Sequence, residues 1–225
     1  MKRSKRYLKI VQSKTKEKKI ELQEIIELVK KNSTTKFDES IDVSLKINLK
    51  QTKGGDLSLR TIVKLPNGSG KKNIIAVLCE TDKIDEAKKS GADIAGSEDL
   101  LEKIGSGKFN FTKLICTPGM MSKIGKFGKV LGPKGLMPNP KLGSVTDDLK
   151  TAVTDAKSGQ AEIRNDKDGN IGVSIGKKSF TDDKLLKNFN AIIDTLEKEK
   201  SNNVVKGDLV KSVFLTSTMG VSYKL

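Results

Sequence analysis

There is no histidine among the 225 residues of the chain. That absence removes the side chain that most often serves as general acid or base near neutral pH, and the triads built on imidazole go with it. Lysine or paired carboxylates would have to carry any chemistry. Cysteine is nearly as scarce, with only Cys79 and Cys116, each set inside an apolar run. With no histidine to complete a mixed metal site, the two read as buried free thiols, which suits a reducing compartment. Long apolar runs are missing as well. Ile74 to Leu78 and Leu114 to Cys116 fall far short of the roughly 20 residues needed to cross a bilayer. The basic stretch Met1 to Lys9 is not followed by an apolar core and a small-residue cleavage site, so no secretory signal is expected and the chain is expected to stay in the cytoplasm.

Acidic residues are lacking in two particular places. Residues 1–20 hold nine Lys or Arg and one Glu, and residues 108–141 hold seven Lys and no acid. These segments contribute +8 and +7, the whole of the formal net charge of +15. A lysine excess from genomic bias would be spread out, and 39 Lys against 4 Arg does show such a bias. Concentration into two segments points instead to a polyanion partner.

What is present has a readable order. A basic helix around Lys5 to Gln12 precedes a second helix from about Ile20 to Asn32, with Leu22, Ile25, Ile26, Leu28 and Val29 on its apolar face. Ile41, Val43, Leu45, Ile47 and Leu49 then alternate with polar neighbours, the period of a half-buried strand. Leu57, Leu59, Val63 and Leu65 continue the pattern after Gly54 and Gly55, predicting an antiparallel hairpin. Past the linker-like Pro66 to Gly70 the grammar becomes strand alternating with helix up to about Lys157, which implies a parallel sheet flanked by helices. Beyond Gly159, strands at Gln160 to Asn165 and Ile171 to Ile175 flank a turn at Asp166 to Asn170, and a helix covers Phe180 to Glu199. A last strand pair brackets Thr216 to Gly220. The fold class expected is α/β and α+β in two domains: a split α+β domain from both termini, residues 1–67 plus 159–225, with an inserted Rossmann-like α/β domain at 68–158. Pro66, Gly68, Ser158 and Gly159 form the expected hinge.

Three glycine-containing segments resemble nucleotide or metal loops and fail the spacing tests. Gly68 to Lys72 lacks the upstream glycine of a P-loop, and Gly172 to Ser179 is one residue short between its glycines. The Asp166, Asp168, Asn170 turn imitates the start of an EF-hand, but Ile171 and Lys177 stand where glycine and a carboxylate belong, so no metal is expected. No cofactor is expected either. The segment Gly125 to Gly143 combines five glycines, three prolines and four lysines with no acid. It reads as an extended, exposed loop, either simply solvated or a phosphate contact through Lys126, Lys129, Lys134 and Lys141. By composition alone, the uncharged Thr216, Ser217, Thr218, Met219, Gly220 is a strand-end turn.

KRY at Lys5 to Tyr7, KFDES at Lys36 to Ser40, LGPKGLMPNPK at Leu131 to Lys141, RNDK at Arg164 to Lys167 and TSTMG at Thr216 to Gly220 together resemble the large-subunit ribosomal protein one family, bacterial type, from the mobile stalk beside the tRNA exit site. The resemblance covers nearly the whole chain. It implies a non-catalytic protein whose split domain grips the ribosomal RNA of the stalk, while the inserted domain swings on the hinge toward exit-site tRNA. It further implies a monomer when free, a place in the 50S-type subunit, no membrane, and repression of its own operon through messenger RNA. The RNA-binding residues it implies are Lys36, Phe37, Ser40, Arg164, Asn165, Asp166, Lys167, Ser212, Thr216, Ser217, Thr218, Met219 and Gly220. Leu57, Ser58, Leu59, Arg60, Thr61 depart from the family's run before the hinge, and no contact is carried over there. An enzyme acting on a phosphorylated metabolite, or a nonspecific nucleic-acid coat, are the rival readings of the composition.

Overall fold

The computed structural model describes residues 4–13, 21–48, 59–107, 109–202 and 207–225. In chain order these form α1 (Lys5–Ser13), α2 (Leu22–Asn32), β1 (Ser40–Ile47), β2 (Arg60–Lys64), β3 (Ile75–Leu78), α3 (Ile84–Lys89), β4 (Ile94–Gly96), α4 (Glu98–Gly105), β5 (Lys113–Cys116) and α5 (Pro118–Gly125). Then come α6 (Gly128–Leu131), α7 (Leu149–Lys157), β6 (Gln160–Arg164), β7 (Asn170–Lys177), α8 (Asp182–Asn202), β8 (Val210–Ser217) and β9 (Tyr223–Lys224). The chain divides into two compact units, Met1–Gly70 with Ala161–Leu225, and Lys71–Gln160. Among the described residues no helix is long and apolar enough to cross a membrane.

The first unit is an α+β layer pair. Its four-stranded sheet has the order β7-β1-β8-β9, antiparallel throughout. Strict alternation in β1 sends Ile41, Val43, Leu45 and Ile47 into the core, where they meet Ile25, Ile26 and Val29 of α2 and Leu185, Phe189 and Ile192 of α8. Each such burial contributes about 1.5–3 kcal/mol, so one alternating strand organises much of the unit's stability. Asp42, Ser44 and Lys46 point to the opposite face by the same period of two.

Two pairings expected from the sequence differ here. β2 does not form a hairpin with β1; it pairs with β6 in a separate two-stranded sheet. The reason is that β7 and β8 already occupy both hydrogen-bonding edges of β1. The proposed turn at Gly54 and Gly55, with Leu57, lies outside the described residues. The strands either side of Asp166 to Asn170 share only one bridge, Asn165 to Ile171, before entering different sheets.

The second unit is α/β. Its parallel sheet has the order β4-β3-β5, and all four residues of β3 are buried because helices cover both faces. Ala76 and Leu78 pack toward α4 and α5, and Ile75 and Val77 toward α3 and α7. Both cysteines are free and buried, and burial pushes the Cys116 thiol up to about 11. The segment Gly125 to Gly143 is not the extended loop expected. It contains α6 and a 3-10 turn at Pro140–Leu142, since Leu131 is fully buried and Leu136 and Met137 pack on the core. Its lysines Lys126, Lys129, Lys134 and Lys141 are nonetheless exposed, with Lys134 lying 4.2 Å from the centre of the Phe109 ring.

The chain leaves the first unit through a segment tied down by one buried amide. Asn188 of α8 accepts from the Asn67 backbone N–H at 3.0 Å and donates to the carbonyls of Gly68 at 2.9 Å and Ile175 at 2.7 Å. Replacing Asn188 by Leu strands three backbone groups, and each costs about 1–3 kcal/mol when left unsatisfied. Urea unfolding of Asn188→Leu is expected to show a loss of at least about 2 kcal/mol with an unchanged slope.

Candidate nucleic-acid interface

β1 and β8 run antiparallel, with Ile41 opposite Ser217, so the segment entering β1 and the turn leaving β8 meet at one end of the sheet. That register brings KFDES and TSTMG together from opposite ends of the chain. The strap between them is backbone and hydroxyl: Thr218 N–H donates to the Ser40 carbonyl at 3.0 Å, and Ser40 N–H donates to Thr218 Oγ1 at 3.0 Å. Lys177, at the end of β7, adds a bond from its Nζ to Ser40 Oγ at 2.9 Å.

Beneath the strap lies Glu39, with no exposed surface. Its Oε2 accepts from Met219 N–H at 3.0 Å and its Oε1 from Thr35 Oγ1 at 2.8 Å and Thr35 N–H at 3.3 Å. Desolvation works to raise its pKa, but the bonds from Met219 and Thr35, with the nearby Ser217 hydroxyl, outweigh it and hold the carboxyl below the usual range. Ser217 Oγ favours the carboxylate from a position short of hydrogen-bond geometry. From above, Arg6 of α1 donates to the Met219 carbonyl at 2.7 Å and to Thr34 Oγ1 at 3.1 Å. Glu39 and Arg6 thus grip the same two segments from inside and outside.

The grip leaves two large apolar side chains in solvent. Phe37 is 53% exposed and Met219 50% exposed, although neither is needed to fill the core. Lys36 is exposed beside them. Gly220 is fixed by close approach, since a Cβ there would sit 2.4 Å from Ser217 Oγ. Ser217 itself is buried, and the Thr218 hydroxyl is committed to Ser40, so within TSTMG the Met219 side chain is the group most available to a partner.

Arg164, Asn165, Asp166, Lys167 and Ser212 do not join this cluster. Lys46 pairs with Asn170 and Ser212, and Ile47 N–H bonds the Gly169 carbonyl, which puts them at the far end of β1. Eight residues of β1 separate the two ends, a span of about 23 Å at the rise of an extended strand. In that turn Asp166 accepts from Asn170 N–H at 2.7 Å and Asp168 N–H at 3.0 Å, bonds that hold its carboxyl below the usual range. Asn165 Oδ1 accepts from Leu59 N–H at 2.6 Å. These two side chains build the turn, while Arg164 and Lys167 are exposed on it. Sequence reasoning missed Glu39 and Arg6; an acid inside the otherwise exposed KFDES run was the available signal for the first, and only the fold pairs Arg6 with Met219.

The fold and the joined segments define a two-unit α+β and α/β protein with Phe37 and Met219 exposed at one end of its four-stranded sheet. Residues 29–221 match the model of the ribosomal protein L1p/L10e family, and the chain belongs to that family: it is a ribosomal protein, not an enzyme. Similar chains include the large ribosomal subunit protein uL1 of Pelagibacter ubique, 65% identical over 204 residues, 91% of this chain and 89% of that one. The protein of the same name from Prochlorococcus marinus (strain NATL1A) is 45% identical over 95% of this chain and 90% of its own. That from Lactiplantibacillus plantarum is 44% identical over 96% and 94%.

Because the folded state lowers the Glu39 pKa, its stabilisation is complete above the unfolded glutamate value of about 4.3 and is lost as pH falls through the folded one. Glu39→Gln is expected to cost about 1–3 kcal/mol at neutral pH. It is also expected to flatten the loss of stability that wild type shows as pH falls below the unfolded glutamate value, as read from urea midpoints.

Proposed function

We propose that this ribosomal protein is a structural constituent of the large subunit and binds the ribosomal RNA of the mobile stalk with the first unit. The observation that carries the reading is the pair of exposed apolar side chains, Phe37 and Met219, held beside Lys36 by a buried carboxylate and a capping arginine. A preshaped surface of this kind suits folded RNA, which is recognised by its shape and by apolar packing on base or sugar faces. Lys36, Ser40 and Thr216 to Gly220 form one half of the footprint, and Arg164 to Lys167 with Ser212 the other. Lysines add affinity that falls with salt.

The exposed lysines Lys126, Lys129, Lys134 and Lys141 supply the second unit with a phosphate-contacting surface. Its partner on this reading is exit-site tRNA, whose release it assists. The crossovers at Pro66 to Gly68 and Ser158 to Gly159 are the pivots. Gly70 extends the first of them, because Asn67 and Gly68 are tied to Asn188 while Gly70, at φ +72°, sits where the units divide. Repression of its own operon follows from the same RNA surface if the messenger repeats the stalk's shape. The curated relatives, named for the large subunit, support the first part of this reading.

Met219→Ala removes exposed apolar area and no internal bond. It is expected to weaken binding to a folded stalk transcript by about 1–2 kcal/mol, with stability within about 0.5 kcal/mol of wild type and an unchanged salt slope. Filter binding at several salt concentrations, with urea melts, checks this; affinity equal to wild type would remove Met219 from the footprint.

A further inference from the structure

The chain carries seven sulfur atoms, two in cysteine and five in methionine, and the fold sets one of them apart. Cys79 and Cys116 are free and fully buried, and burial pushes both thiols up, that of Cys116 to about 11, so neither presents a thiolate. Met120 is buried, and Met121 and Met137 pack against the core of the second unit. Met1 lies outside the described residues. Among the described methionines only Met219 stands in solvent, half exposed.

The backbone around that side chain is fixed. Met219 N–H donates to Glu39 and its carbonyl accepts from Arg6, while Gly220 N–H closes the turn on the Ser217 carbonyl at 3.1 Å. A chemical change at Sδ breaks none of these bonds. A thioether is apolar and polarisable, fit to lie on a base or sugar face, whereas its sulfoxide is polar and chiral and adds a strong acceptor. Pressed against phosphates and base faces, the sulfoxide oxygen loses its water without gaining a donor.

We infer that Met219 is an oxidation site that switches the RNA surface: a peroxide converts its thioether to the sulfoxide and weakens the hold of the first unit on RNA while leaving the fold intact. The inference rests on the RNA-binding reading above and adds a control to it. A lone pair of Sδ attacks one peroxide oxygen, the S–O bond forms as the O–O bond breaks, and the second oxygen leaves as water after proton transfer. The thioether loses two electrons and the peroxide gains them. Methionine sulfoxide reductases reverse the change, one enzyme for each epimer at sulfur. Bound RNA covers the same atom, so the free chain is the form that responds.

The test treats the full chain with hydrogen peroxide, locates the oxidised residues by peptide mass, and measures binding to a folded stalk transcript against unrelated RNA. Met219 is expected to oxidise before Met121 and Met137, with both cysteines unchanged, and transcript bound beforehand is expected to slow its oxidation. The oxidised chain is expected to bind about 5- to 30-fold more weakly, the range that follows from losing one methionine's apolar contact. Its salt slope and urea midpoint are expected to match those of the untreated chain, and the two reductases are expected to restore its affinity. Met219→Leu, compared with its own untreated affinity, is expected to change by less than about twofold on exposure to peroxide. Oxidised wild type that binds within about twofold of the untreated chain overturns the inference, as does oxidation of Met121 or Met137 ahead of Met219. An equal loss in Met219→Leu overturns it too; should that variant fail to fold, the reductases decide, and affinity they do not restore counts against the switch. If untreated wild type does not prefer the stalk transcript, the RNA-binding reading fails; if it does and peroxide leaves it unchanged, only the switch fails.

Discussion

A buried carboxylate holds the candidate interface together. Glu39 sits where two segments 180 residues apart in sequence meet, and it gives each what its backbone needs: an acceptor for Met219 N–H and an acceptor for Thr35. Without it the Met219 amide would be left facing the interior, a cost of the same order as a hydrogen bond to a charged group. With it, a five-residue turn and a five-residue loop behave as one piece. Phe37 and Met219 can then stay in solvent in a fixed relation instead of collapsing onto the nearest core.

Around that carboxylate the remaining parts follow in order. Alternation in β1 forces its odd-numbered residues into the core and its even-numbered ones outward, and the antiparallel register with β8 brings TSTMG beside KFDES. Arg6 belongs to the basic N-terminal segment, yet its guanidinium closes the platform by bonding Met219 and Thr34. One member of a segment that stands out for its charge thus acts through geometry. On the proposed reading the exposed lysines are left for phosphates, where each would contribute affinity that is sensitive to salt and indifferent to sequence.

The legible part of the fold was whatever local periodicity controls. The alternation from Ile41 to Ile47, the apolar run Ile75 to Leu78 and the long helix from Asp182 were all visible, as was the change from antiparallel to parallel grammar. Strand pairing was less so. Nothing in residues 57–65 says that both edges of β1 will be taken by strands arriving from the far end of the chain, so the expected hairpin gave way to a pairing of β2 with β6. The loop around Leu131 was misread for a related reason: glycine and proline content signals an irregular path, but only tertiary contact shows that Leu131, Leu136 and Met137 fold that path onto a core. At the candidate site the fold brings the KFDES and TSTMG segments together, and the division of labour within them was not legible in the motifs. Asn165 and Asp166 are committed to holding the backbone and Ser217 is buried, while Met219, Phe37 and Lys167 reach solvent.

The central claim is that shape supplies specificity and lysine supplies affinity. It is tested most directly by the ratio of affinities for folded stalk RNA and for unrelated RNA, measured from about 50 mM to about 300 mM salt. Both affinities should fall as counterion release weakens, while their ratio holds or rises. A ratio that collapses toward one as salt increases would contradict the account, because it would mean that charge alone had been choosing the partner.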